Sequence, residues 1–103
     1  MKYCMIEIAF GVRSEAEEVS KKLLDMRLVG SVQIVESDST WNWKGEREGS
    51  KEYLMFLKTK EEHIKAIYEV IKDVHSYDCF EFATYELTSI NQDYLKWIDD
   101  ETK

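Results

Sequence analysis

Proline is absent from this chain of 103 residues, and glycine occurs only four times. No linker is marked, and neither a low-complexity segment nor an internal repeat interrupts the text. One domain spanning residues 1–103 is expected, because two cores in a chain this short would each be too small to fold without staples. Cysteine is scarce too: Cys4 and Cys79 make no disulfide framework and match no zinc-motif spacing, which points to a reducing compartment. No stretch approaches the roughly 20 apolar residues of a membrane span. The apolar start, Met1 to Phe10, contains Glu7 and reads as a strand, not a signal peptide, so a cytoplasmic location is expected.

Positive charge is the other deficit. Lys and Arg number 14 against 21 Asp and Glu, a formal net charge of -7, and no basic run stands out. Nucleic acid and anionic membrane surfaces are therefore not expected partners. Catalytic signatures are missing as well: there is no Gly-rich phosphate loop, nucleophile elbow, His-Glu-x-x-His or zinc-deaminase pattern. The paired Asp99-Asp100 reads as solubilising charge. The expectation is a protein that is not an enzyme.

What is present is strong periodicity. Tyr3 to Phe10 alternates, with Cys4, Ile6, Ile8 and Phe10 on one face and Tyr3, Met5, Glu7 and Ala9 on the other, as in a strand ended by Gly11. Ser14 to Glu17 has a capping-box pattern, and Ala16, Val19, Leu23 and Met26 form a helical stripe, so a helix is expected from about Glu15 to about Leu28, closed by Gly30. Ser31 to Trp43 and Lys51 to Thr59 read as two strands joined by a polar turn, Lys44 to Ser50. A second amphipathic helix follows from Glu62 to about Val74, then a strand from Asp78 to Leu87, and a short helix capped by Asn91.

The order β-α-β-β-α-β plus a small helix is that of an α+β, ferredoxin-like sandwich with strand order 4-1-3-2 and both helices on one sheet face. The other face is then bare. Since the first and third strands are apolar on both sets of alternate positions, burial against another subunit is expected, at about 25 cal/mol per Å² removed from water.

More specific text lies in the second half. Trp43-Lys44-Gly45, Glu52 to Thr59, His75-Ser76-Tyr77, Glu81 and Tyr94-Leu95-Lys96-Trp97 occur in the order and near the spacing of the CutA family of divalent-cation tolerance proteins, and the Glu17 to Leu24 helix with Arg27-Leu28 agrees. The chain resembles that family over nearly its whole length. The resemblance implies a tight homotrimer with sheets facing inward and the long hairpin reaching a neighbour. It further implies a role in divalent-cation (copper) tolerance and response to metal ion, with a copper ion as the candidate cofactor. The family is similar in architecture to PII-type signalling trimers, which bind small ligands between subunits. Ser31 stands where family members commonly have cysteine, so no thiolate is available there, and Ser76 and Phe80 replace prolines.

Among the residues, His75, Asp78 and Cys79 combine imidazole, carboxylate and thiolate within five positions, a candidate metal set; the alternative is that His75 and Tyr77 only make hydrogen bonds at a subunit contact. Alternation along a strand from Asp78 would let at most two of the three meet one ion without help from another subunit. Lys58 could meet a small anion in an intersubunit cleft, with Tyr77, Glu81 and Trp43 beside it, by analogy with the family. Trp41 and Trp43 flank Asn42 and should share a face, as a ligand wall or an interface pair. Cys4 reads as a core residue and His63 as exposed surface. Two readings of function follow: a non-enzymatic homotrimer of divalent-cation tolerance, or a PII-like sensor holding a small anion between subunits.

Overall fold

The structure is a computed structural model that describes residues 2–103. The strand β1, Tyr3–Phe10, lies inside an antiparallel sheet of four strands, between β3, Glu46–Lys60, and the short β4, Ala83–Glu86. The other long strand, β2, Ser31–Trp43, pairs with β3 along its whole length, and the order β2-β3-β1-β4 is the expected one read from the opposite edge. Helices α1, Arg13–Asp25, and α2, Ile64–Val74, cover one face. Between β3 and α2 runs a single 3-10 turn, Glu61–His63, and α3, Gln92–Glu101, follows β4.

The core forms where the alternation says it should. Cys4, Ile6, Ile8 and Phe10 of β1 are all fully buried, together with Met55 and Leu57 of β3, against Ala16, Val19 and Leu23 of α1 and Ile67 and Ile71 of α2. Truncating Ile6 or Leu57 to Ala would cost roughly 2–5 kcal/mol through lost burial and the void left behind. On β3 it is thus Met55 and Leu57 that face the helices. Leu54 and Phe56 stand opposite them, across from Ala9 and Glu7 of β1.

Several expected boundaries move. The polar turn shrinks to Lys44-Gly45, both with positive φ (51° and 82°), the geometry of a two-residue hairpin turn that matches strand twist. Glu46 to Ser50 are strand residues, and the molecule reaches 45 Å along its longest axis. The capping box does not form: Val12 is the N-cap of α1 and no side chain caps it. Arg27, not Gly30, takes the left-handed position after α1, with φ 57°, and the Leu28 amide bonds the Leu23 carbonyl as in a Schellman closure. Its guanidinium holds the Asp100 and Glu101 carbonyls, which ties the end of α1 to the end of α3. Gly30 serves close approach instead: a Cβ there would stand 3.2 Å from Trp97.

The last strand is shorter than expected. Asp78 to Phe82 are not part of β4, because Phe80 turns aside to stack on His75 and Phe82 packs edge-on against Tyr68. Asn91 precedes α3 as its N-cap without a side-chain hydrogen bond. His63 is buried, not exposed, and its Nε2 bonds the Lys103 carbonyl oxygen.

Candidate functional site

A cavity of about 640 Å³ opens between the far half of the hairpin and the segment that links α2 to β4. Register explains its lining. Trp41 pairs with Glu48 and Ser37 with Glu52, so Trp41, Trp43, Glu48 and Glu52 recur at alternate positions on one face of the hairpin. Ser76, Tyr77, Asp78, Cys79 and Glu81 close the opposite side, with Ala9 at the floor.

The link segment is held by an aromatic stack. The His75 ring lies between Phe10, at 4.5 Å and 14°, and Phe80, at 4.7 Å and 12°. Its Nε2 is 2.7 Å from the Ala9 carbonyl oxygen, and its Nδ1 accepts the Tyr77 amide at 3.1 Å. Those partners assign the neutral tautomer with hydrogen on Nε2. With the backbone so fixed, the Tyr77 hydroxyl donates to Glu52 Oε2 at 2.9 Å. Burial pushes the Tyr77 phenol up to about 12, with the Glu52 hydrogen bond and charge adding to it. Gly11 makes room for this ring, since a Cβ there would fall 2.5 Å from the Tyr77 hydroxyl.

Negative charge is concentrated here. Glu52 is only 8% exposed, an unusual depth for a carboxylate, and Tyr77 is its one side-chain partner among the described residues. The Glu81 carboxyl is pushed up to about 7, first by desolvation, then by a hydrogen bond with Glu7 and the charges of Glu7 and Glu52. Glu7 also accepts the Tyr85 hydroxyl at 3.2 Å. Glu48 and Asp78 bring the carboxylates on the cavity wall to four, and no Lys, Arg or His lines it among the described residues.

The expected site residues therefore separate. Trp43, Tyr77 and Glu81 come together on the cavity, but Lys58 does not join them: it lies farther down β3, paired with Ser31 and Met5. Asp78 and Cys79 line the cavity, whereas His75 has both ring nitrogens engaged beneath it. Among the described residues no group of three or more His, Cys, Asp and Glu side chains is arranged to hold a metal ion. The set His75, Asp78 and Cys79 thus does not fit a resident metal within one chain. Glu52 and Glu48 also line the cavity, although neither is among the site residues expected from the sequence. The signal for Glu52 was a carboxylate on the alternate positions otherwise held by Leu54 and Phe56.

Comparison with known proteins is consistent across sequence and structure. The family described as CutA1 divalent ion tolerance protein matches residues 4–101. The divalent-cation tolerance protein CutA of Pyrococcus horikoshii is 38% identical over 88 residues, 85% of this chain and 86% of the relative. That of Thermotoga maritima is 30% identical over 94 residues, covering 91% and 93%. In structure, the periplasmic divalent cation tolerance protein CutA of Archaeoglobus fulgidus superposes with a TM-score of 0.94 at 28% identity, over 98% of this chain and 99% of that one.

Proposed function

The chain belongs to the CutA1 divalent ion tolerance family, and from that premise we propose that it acts as a non-enzymatic homotrimer in divalent-cation tolerance, copper included. The observation that carries the reading is the cavity in which Asp78 and Cys79 stand with Glu48, Glu52 and Glu81 and, among the described residues, no cationic side chain. Carboxylates that do not converge attract cations without chelating them, so ions are held loosely, by field more than by coordination. Self-association is supported by the sheet face opposite α1 and α2: α3 covers one end of it, through Tyr3 to Asp99 and Ser31 to Tyr94, but Met5, Val35, Leu54, Phe56 and Tyr85 lie near one another on it. Val35 is 49% and Tyr85 47% exposed in the single chain, an apolar area of the kind other subunits cover. The cytoplasm suits two unpaired thiols, of which Cys79 is exposed.

The test has two parts. Light scattering at low protein concentration should give three times the mass of the chain, and a monomer there would sink the assembly. Calorimetric titration with copper and zinc should show weak heat that fades with added salt and survives His75→Phe; tight binding lost with His75 would refute loose attraction and restore a chelate. The small-anion alternative gains no support from the cavity, whose walls repel anions and exclude Lys58.

A further inference from the structure

We propose that the cavity between the hairpin and the Ser76 to Glu81 segment binds a small organic polycation, a linear alkylamine with two or more ammonium groups. The inference stands on the cavity lining and not on the divalent-cation reading of the same region.

Four carboxylates, Glu48, Glu52, Asp78 and Glu81, surround a space of about 640 Å³, within the range that holds small organic ligands. No lining cation balances them among the described residues, so an anionic ligand would meet repulsion on every side. A bare metal ion needs several donors around one point, and no such group exists among the described residues. Charges spread around a cavity suit instead a ligand whose own charges are spread along a chain.

The rest of the lining suits the chain between those charges. Trp41 and Trp43 present two indoles from one face of the hairpin, which can cover methylene groups and attract an ammonium through their π faces. Trp43 already does so: the Lys44 ammonium sits 5.5 Å from its ring centroid. Deep in the cavity, Glu52 is fixed through Oε2 by the Tyr77 hydroxyl, while Oε1 has no side-chain partner among the described residues and remains an oriented acceptor for an N–H donor.

Glu81 adds a signature. Its carboxyl is pushed up to about 7, so part of its population carries a proton near neutral pH, and an arriving ammonium favours the ionised form. Binding should release a fraction of a proton.

The test is calorimetric titration of the whole protein with spermidine at pH 7, in two buffers of different ionisation enthalpy. Saturable binding is expected, with proton release, weaker for putrescine, and reduced about tenfold or more by Trp43→Ala and by Glu52→Gln. Glu48→Gln, on the exposed hairpin, should weaken binding without endangering the fold, and Lys58→Ala should not weaken it. Absence of saturable heat overturns the inference, as would occur if a neighbouring copy filled the cavity. Binding equally weakened by removal of a carboxylate remote from the cavity, such as Glu69→Gln, also overturns it, because general acidity would then suffice. Copper binding without spermidine binding refutes this inference and leaves the family reading intact; spermidine binding without copper binding does the reverse.

Discussion

The Tyr77 hydroxyl donates to Glu52 across 2.9 Å, joining the segment after α2 to the middle of β3, 25 positions earlier in the chain. A buried carboxylate with a single side-chain partner depends heavily on that partner. Tyr77→Phe should therefore destabilise the fold by about 1–3 kcal/mol, the cost of leaving such a group unpaired. Glu52→Gln in the same background should recover part of the loss, since the neutral amide is easier to bury alone. Urea midpoints at one fixed protein concentration measure the double-mutant cycle, the fixed concentration being needed because the proposed assembly would contribute to stability.

His75 occupies a position that a metal ligand could not hold without losing two hydrogen bonds. Replacing it by Phe keeps the stack on Phe10 and Phe80 but leaves the Ala9 carbonyl and the Tyr77 amide unpaired. A loss of about 1–3 kcal/mol is expected, with the Tyr77–Glu52 contact loosened as well. Denaturation curves of His75→Phe and His75→Asn test this. Full stability in both variants would show that the ring has no structural role.

Glu81 should make stability depend on pH. Its folded carboxyl is raised from the ordinary 4.5 to about 7, so the folded state holds this proton more tightly than the unfolded chain does. The stabilising contribution is complete below about pH 4.5 and is lost as pH rises through about 7. Because water screens the exposed side of the group, the loss should be on the order of 1 kcal/mol. Urea midpoints at pH 5 and pH 8 should differ in that direction for the native protein, and the difference should shrink in Glu81→Gln.

Burial marks some residues in the sequence and leaves others unmarked. Alternation in β1 is enforced by burial on one face, so Cys4, Ile6, Ile8 and Phe10 announced their positions directly. The far half of the hairpin has no core to impose a pattern. Its Glu46 to Ser50 residues resemble a loop, yet they are held as strand by pairing with Ser39 to Trp43. Phe80 and Phe82 show the opposite failure: their spacing imitates a strand, but each ring is used by a partner distant in sequence, His75 or Tyr68. His63 is drawn inside by an acceptor, the Lys103 backbone oxygen, that lies 40 residues away and leaves no local mark in the sequence. The cavity combines both difficulties, since Trp43, Tyr77 and Glu81 are marked by the resemblance to the CutA family while the buried position of Glu52 requires the register of β3.

The sheet face opposite α1 and α2 yields the last prediction. Phe56 pairs with Glu7 on one side and Gln33 on the other, at the centre of that face, and is partly buried even in the single chain. Its side chain points away from Ile6, Met55 and Leu57, so a charge there leaves the interior packing in place. In an assembly that covers the face, the same charge would be buried without a counter-ion, at a cost of several kcal/mol per subunit. If the protein is the homotrimer proposed above, Phe56→Glu should therefore shift light-scattering mass from three chains toward one while far-UV circular dichroism keeps the helical and strand signal. A variant that remains trimeric would mean the subunits meet elsewhere, with the exposed edges of β2 and β4 the surfaces then left to unite them.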